Sequence, residues 1–213
     1  MIVDAHTHRP DARDAVIAVD PRQWHPLPGL CYAVGYHPWS DLTTLTSDDW
    51  SLLERLAAHP QVVAIGETGM DRTRGGDLAV QRAALARHLR VAHDHGLPVV
   101  IHAVRTSRDV LDCRQGERLC DVPLIIHGMR GNPNVARALL DAGCVLSYGP
   151  RFNAATVAAT PLDRLLLETD DDCGTSIAAV ATAVAAVLHL PADQLLRHAS
   201  ENAMRIFARA PLG

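Results

Sequence analysis

The 213 residues and 23.0 kDa of the chain predict a single domain over 1–213 that buries a sizeable core unaided, and 48% apolar with 21% charged residues exclude a disordered or fibrous chain. A formal charge of −4 provides no global basic field for a nucleic-acid backbone, so an anionic substrate has to be gripped locally. All 20 basic residues are Arg, which excludes a Schiff-base lysine, a P-loop lysine and a metal centre bridged by a modified lysine.

In chain order, short runs rich in Val, Ile and Leu recur at 2–5, 15–19, 32–35, 62–65, 98–101, 123–126, 144–147 and 164–167. Near-continuous hydrophobicity without alternation belongs to strands buried on both faces, hence to a parallel sheet covered by helices. Helix signals fill the later gaps. One segment starts near Ser47 and covers 48–59. The next, 77–95, is closed by Gly96 and places Leu78, Leu85, Leu89 and Ala92 on one face. Another starts near Ser107, and Asn132 followed by Pro133 opens one that Gly143 ends. After the last strand, 176–190 and 191–208 read as helices. Eight strands alternating with helices predict an α/β fold, a (β/α)8 TIM barrel. Only 9–14 separates the first two runs and 20–31 the next pair, too little for a crossover helix. The first two helices are therefore expected to be missing or reduced to turns, in a small barrel about 200 residues long.

Five of the eight runs end on a metal-ligand or acid residue: His6-Thr7-His8 closes the first, Glu67 the fourth, His102 the fifth, His127 the sixth and Asp170 the eighth. A parallel barrel gathers its C-terminal strand ends around one mouth, and His6 and His8, two apart on a strand, face the same side. Each residue alone reads as a satisfied rim or core side chain. Together, four imidazoles and two carboxylates in one mouth need cations to neutralise them. Six ligands with Glu67 as the bridge predict two divalent ions, which lower the pKa of bound water and stabilise the attacking and leaving oxygens of a displacement. Imidazole favours Zn²⁺, while the carboxylates suit Mn²⁺ or Mg²⁺. Asp170 is assigned to activating water.

The stretches Asp4-Ala-His-Thr-His8, Gly35-Tyr-His-Pro38, Ala64-Ile-Gly-Glu-Thr-Gly-Met-Asp71, Pro98-Val-Val-Ile-His102, Ile126-His127, Leu166-Leu-Glu-Thr-Asp170 and Asn202-Ala-Met-Arg-Ile-Phe207 resemble, in order and over nearly the whole chain, the TatD family of metal-dependent deoxyribonucleases within the amidohydrolase-like barrels. The resemblance implies that His6, His8, Glu67, His102, His127 and Asp170 are the metal ligands and that His37 lies near the scissile group. It also implies a phosphodiesterase acting on DNA from its ends. The segment between Pro10 and Leu30 is shorter than is usual in the family, and Asp171-Asp172-Cys173-Gly174 replaces the acid-proline stretch that commonly follows the last ligand. The sequence thus resembles a compact branch. Phosphotriesterase-like barrels use a modified lysine, which this chain lacks, and histidinol-phosphatase-like barrels close with an Asp-x-His pair, where this chain has Glu168-Thr-Asp170.

Arg105 and Arg130 each follow a ligand by three residues, placing a guanidinium where it can hold a phosphate; the alternative for either is pairing with Asp171 or Asp172. Trp39 is a candidate stacking platform or a rim residue shielding the core. His25, His59, His88, His93, His95, His189 and His198 read as surface or packing residues. The substrate is expected to be DNA or a small phosphoester. Hydrolysis of a small-molecule ester or amide by the same centre is the alternative, followed by a non-catalytic metal-binding protein, which has no need of Asp170. The five scattered cysteines (Cys31, Cys113, Cys120, Cys144 and Cys173) read as reduced core fillers of a cytoplasmic protein. An N-terminus that turns polar at Asp4 reads as no signal peptide, and no apolar run is long enough to span a bilayer. Missing helices would leave apolar strand surface open to a contact between copies, so the state is expected to be a monomer or a small homo-oligomer.

Overall fold

Apolar strands buried on both faces can satisfy their backbone only against one another, and here eight of them close a parallel barrel in chain order. They are β1 (Asp4–Thr7), β2 (Ala15–Val19), β3 (Cys31–Val34), β4 (Val62–Asp71), β5 (Val99–Val104), β6 (Leu124–Ile126), β7 (Val145–Tyr148) and β8 (Leu165–Leu167). β8 pairs back onto β1 through Asp4 and Leu167. The computed structural model describes residues 2–172 and 174–208; Cys173 lies outside them.

Around the barrel run α1 (Ser47–Ala57), α2 (Leu78–His95), α3 (Ser107–Gly116), α4 (Pro133–Asp141), α5 (Ala154–Ala158), α6 (Ile177–Leu188) and α7 (Ala192–Ile206). Their ends follow the sequence chemistry. Thr46 and Asp49 form a reciprocal capping box at α1, Asp77 caps α2 and Gly96 ends it in the left-handed region, and Asn132 with Pro133 opens α4. The short α5 is not anticipated by the sequence, because five residues carry no period; Asn153 holds it by accepting from the amides of Ala155 and Thr156. No single helix among the described residues is long and apolar enough to cross a membrane.

As expected, no helix joins β1 to β2, and a 3-10 turn at Pro21–Gln23 is all that joins β2 to β3. The expected open apolar surface is covered in part and remains at the exposed Leu27 and the partly buried Val19. Ala15, Val16 and Ile17 are buried, because Leu30, Tyr32 and the partly buried Trp24 join Ile17 in the outer core. At the N-terminal end of the barrel α7 acts as a plug. Ser200 donates to the Ile2 carbonyl and Asn202 to those of Leu162 and Leu165, while Phe207 is fully buried beside Ile2 and Leu166. Of the described cysteines, Cys31, Cys113 and Cys144 are buried as expected; Cys120 is exposed and fills no core.

β4 departs most from expectation. The apolar run stops at Ile65, yet the strand continues to Asp71, pairing Thr68, Gly69, Met70 and Asp71 with Ile101, His102, Ala103 and Val104 after a register shift. Gly69, at φ 145°, makes this possible, since a Cβ there would collide with the His102 carbonyl oxygen. Glu67 therefore lies inside a strand rather than at its end.

His88 of α2 is fully buried and its tautomer is set by the backbone. Nε2 accepts from the Tyr36 amide at 3.0 Å, so Nδ1 carries the proton and donates to the Ala84 carbonyl at 2.8 Å. Burial pushes its pKa down from 6.5 to about 4, against the Ala84 bond and with help from Arg87. Below pH 6.5 the unfolded chain binds a proton that the fold refuses, so stability falls as pH drops towards 4, by about 3 kcal/mol for this group. Urea unfolding of wild type and His88→Gln across this pH range should show the shallower slope in the variant; equal slopes would contradict the assignment.

Candidate metal centre

Alternation along a strand and the convergence of eight strand ends bring the predicted ligands together at the C-terminal mouth. His6 and His8 sit at the end of β1 and just beyond it, Glu67 in β4, His102 in β5, His127 after β6 and Asp170 after β8. Asp170 holds its place through strand-like pairing beyond β8: its amide donates to the His6 carbonyl and its own carbonyl accepts from the His8 amide. It does so at φ 55°, a left-handed conformation that Asp tolerates better than most residues.

The two oxygens of the buried Glu67 face different partners. Oε2 lies 3.3 Å from His6 Nε2 and 3.2 Å from His8 Nε2, and Asp170 Oδ1 lies 3.6 and 3.7 Å from the same two nitrogens. Oε1 lies 2.8 Å from His127 Nε2, 2.9 Å from His102 Nδ1 and 3.0 Å from His37 Nε2. Two sets of ligand atoms therefore flank one carboxylate. His6 Nε2 and Glu67 Oε2 are buried and face each other at 3.3 Å without hydrogen-bond geometry, a costly arrangement that a cation between them relieves. Imidazole nitrogens and carboxylate oxygens at this spacing fit divalent metal.

Other side chains aim the ligands. Asp71 Oδ2 lies 3.2 Å from His102 Nε2 and accepts from Trp39 Nε1 at 2.7 Å. Glu168 Oε1 accepts from the Gly128 amide at 2.6 Å and lies 3.5 Å from His127 Nδ1. Each of these imidazoles thus turns one nitrogen to a carboxylate and the other to Glu67, the arrangement that fixes a metal-binding tautomer. Burial raises the Asp71 carboxyl, but bonds from Thr73 and Trp39 outweigh it and hold the pKa at about 2. Asp4 accepts from the Thr169 amide and hydroxyl and from the His6 amide, locking β1 to β8 beneath the centre. The sequence reading missed Asp4, Asp71 and Glu168 in these roles, although each lies two or four residues from a ligand and so on its side of the strand.

His37 differs from the ligands. Its Nδ1 accepts from the Trp39 amide at 3.1 Å, so in the neutral ring Nε2 carries the proton and points it at Glu67 Oε1. Arg105 and Arg130 reach the rim on the His102 and His127 side, in a cavity of about 620 Å³ shared with Arg151 and Asp170. Among the described residues Arg130 pairs at 4.0 Å with Asp170, and the Arg105 side chain has no ionic partner. Trp39 is 44% exposed at this rim, with Arg74 stacked 3.9 Å from its ring centre. His25, read from the sequence as a surface or packing residue, lines the cavity on the opposite side together with His8, His37 and Glu67.

Burial and His127 push the His6 imidazole down, yet Glu67 and Asp170 overcome both and raise its pKa to about 9. Burial likewise raises the Asp170 carboxyl, but the facing His6 imidazole and the charge of His127 hold it at about 2. Protons on His6 and His127 thus compete with a metal, which has to displace them. Adding Zn²⁺ or Mn²⁺ to chelator-treated protein in weak buffer near neutrality should release protons, with affinity tightening as pH rises towards 9. Affinity independent of pH would contradict this.

A family model described as TatD related DNase matches residues 22–208. An uncharacterized metal-dependent hydrolase TatD of Mycobacterium tuberculosis is 38% identical over 151 residues, covering 65% of this chain and 56% of that protein. A 3'-5' ssDNA/RNA exonuclease TatD of Musicola paradisiaca is 35% identical over 162 residues, covering 67% of this chain and 58% of that protein. The matches thus span just over half the length of these curated relatives. Among solved structures, the TatD homolog YJJV of Escherichia coli K12 superposes with a TM-score of 0.79 at 20% identity, covering 97% of this chain and 98% of that one, which is a likeness of fold.

Proposed function

The chain belongs to the TatD-related DNase family, and from that premise we propose that it is a divalent-metal-dependent phosphodiesterase acting on the ends of DNA strands or on small phosphoesters. The observation that carries the reading is the shared carboxylate: one oxygen of Glu67 faces His6 and His8, which Asp170 faces as well, and the other faces His102 and His127. These residues would hold two ions of Zn²⁺, Mn²⁺ or Mg²⁺, which when bound acidify water and neutralise charge on phosphoryl oxygens. The exonuclease name of the Musicola relative supports a nucleic-acid substrate. The dispersed, unpaired thiols favour the cytoplasm, and we place the protein there as a monomer or small homo-oligomer.

The chain's own groups divide the remaining work. Asp170 turns Oδ1 to the ligand set and Oδ2 towards Arg130. Ionised, Oδ2 accepts the proton of a water attacking phosphorus and returns it to the leaving oxygen as the P–O ester bond breaks, giving a phosphomonoester and an alcohol. His37, whose Nε2 lies 3.0 Å from Glu67 Oε1, stands beside the place of the phosphate and helps to orient Glu67. Arg105 and Arg130 bind and orient the anion. Three arginines on one wall favour phosphate over a neutral amide, which needs no cation beside the centre.

Asp170→Asn keeps the side chain's size, one ligand oxygen and tolerance of the left-handed backbone, but removes the base. It should fold, keep most of its metal and lose at least about a hundredfold in kcat, with occupancy and turnover measured on one preparation. A fully loaded variant with near-normal turnover would refute the role. Arg105→Ala and Arg130→Ala should raise KM or lower turnover on phosphodiesters. If neither changes either constant, the arginines are structural.

A further inference from the structure

The ligand cluster lies between two cavities that differ in charge. On one side lies the arginine-lined cavity, which includes His102, His127 and Asp170. On the other, a cavity of about 490 Å³ includes His8, His37 and Glu67 and runs along β2 and β3, within the size range of small-molecule sites. It exists because only a 3-10 turn occupies the place of the second crossover helix. Its walls are the apolar faces of Ile17, Val19 and Tyr32, and no Arg lines it. Its one rim carboxylate, Asp20, is paired with Arg22, a residue that does not line the cavity. The side chains of Gln23, His25 and Ser40 line it with no hydrogen bond among the described residues.

We propose that this second cavity receives the terminal nucleoside of the strand being cut, with its terminal hydroxyl free, while the arginine side takes the charged remainder. The proposal rests on the phosphodiesterase reading and adds the polarity of the substrate. A nucleoside is uncharged: its flat base suits the apolar walls, and its hydroxyls and ring heteroatoms suit Gln23, His25 and Ser40. The rest of a strand carries a charge at every linkage and suits Arg105, Arg130 and Arg151. In this direction the last phosphodiester lies over Glu67 and the charged remainder of the strand lies beside the arginines. A terminal phosphate would enter a cavity that has no guanidinium to replace its lost water, beside the carboxylate of Asp20, and should be refused.

Three probes with metal-loaded protein test this: the dinucleotide thymidylyl-thymidine, the same dinucleotide phosphorylated at both ends, which brings a phosphate into the cavity in either orientation, and methyl p-nitrophenyl phosphate, which has no nucleoside. Wild type should cleave the first and lose at least about tenfold in kcat/KM on the second. Val19→Trp, which fills the cavity, should lose at least about tenfold on the dinucleotide and keep its rate on the methyl ester. The double variant Gln23→Ala, His25→Ala removes only rim groups and should raise KM for the dinucleotide alone, so the test survives if the Trp variant misfolds. Equal rates on the two dinucleotides, or a rim variant that cleaves the dinucleotide like wild type, would overturn the proposal while leaving the phosphodiesterase reading intact. No cleavage of any of the three with Zn²⁺, Mn²⁺ or Mg²⁺ would overturn both.

Discussion

A carboxylate buried in a barrel core with one imidazole set on each of its oxygens is the constraint on which the rest of the structure depends. Glu67 is almost wholly removed from water, and its neighbours His6, His102 and His127 are buried or nearly so. Isolated charges in such a place cost several kcal/mol each, by a rough estimate for buried ions. The cluster persists because every charge faces an opposite one, and it becomes chemically useful because the opposite charge can be a metal ion rather than a proton.

The scaffold serves this arrangement at several levels. Parallel closure delivers ligands from five strands to one point. Gly69 lets β4 run against the His102 backbone far enough to bring Glu67 and Asp71 to the same mouth. Asp71 and Glu168 then aim the rings of His102 and His127 at Glu67, so the imidazoles are oriented before any ligand arrives. The reduced first crossovers do not weaken the barrel, since Trp24, Leu30 and Tyr32 cover β2. They do open space on one flank of the centre, and that space gives the two flanks different chemistry.

Much of this was legible in the sequence because ligands at strand ends carry position as well as chemistry. His6, His8, His102, His127 and Asp170 could be placed in one mouth from the order of apolar runs alone, and the missing helices from the spacing of the first three. Glu67 was recognised but misplaced, because Gly66 and Gly69 interrupt the apolar run while the backbone ladder continues through them. Asp4, Asp71 and Glu168 were not recognised as partners, since a carboxylate near a ligand can equally face solvent until the strand's extent is known. The sequence does not place His25 beside the centre, because the path of a short irregular connection is set by what it packs on, which no periodicity encodes. Arg130 faces Asp170 at 4.0 Å, a partner the sequence does not suggest because the left-handed backbone at Asp170 leaves no mark in it.

The central claim is that Glu67 bridges two ions. Anomalous diffraction from crystals of protein loaded with Zn²⁺ or Mn²⁺ tests it most directly. The account predicts two peaks, one between Glu67, His6, His8 and Asp170, the other between Glu67, His102 and His127. A single peak bound by one set alone under saturating metal, or Glu67 turned away from both, would contradict it.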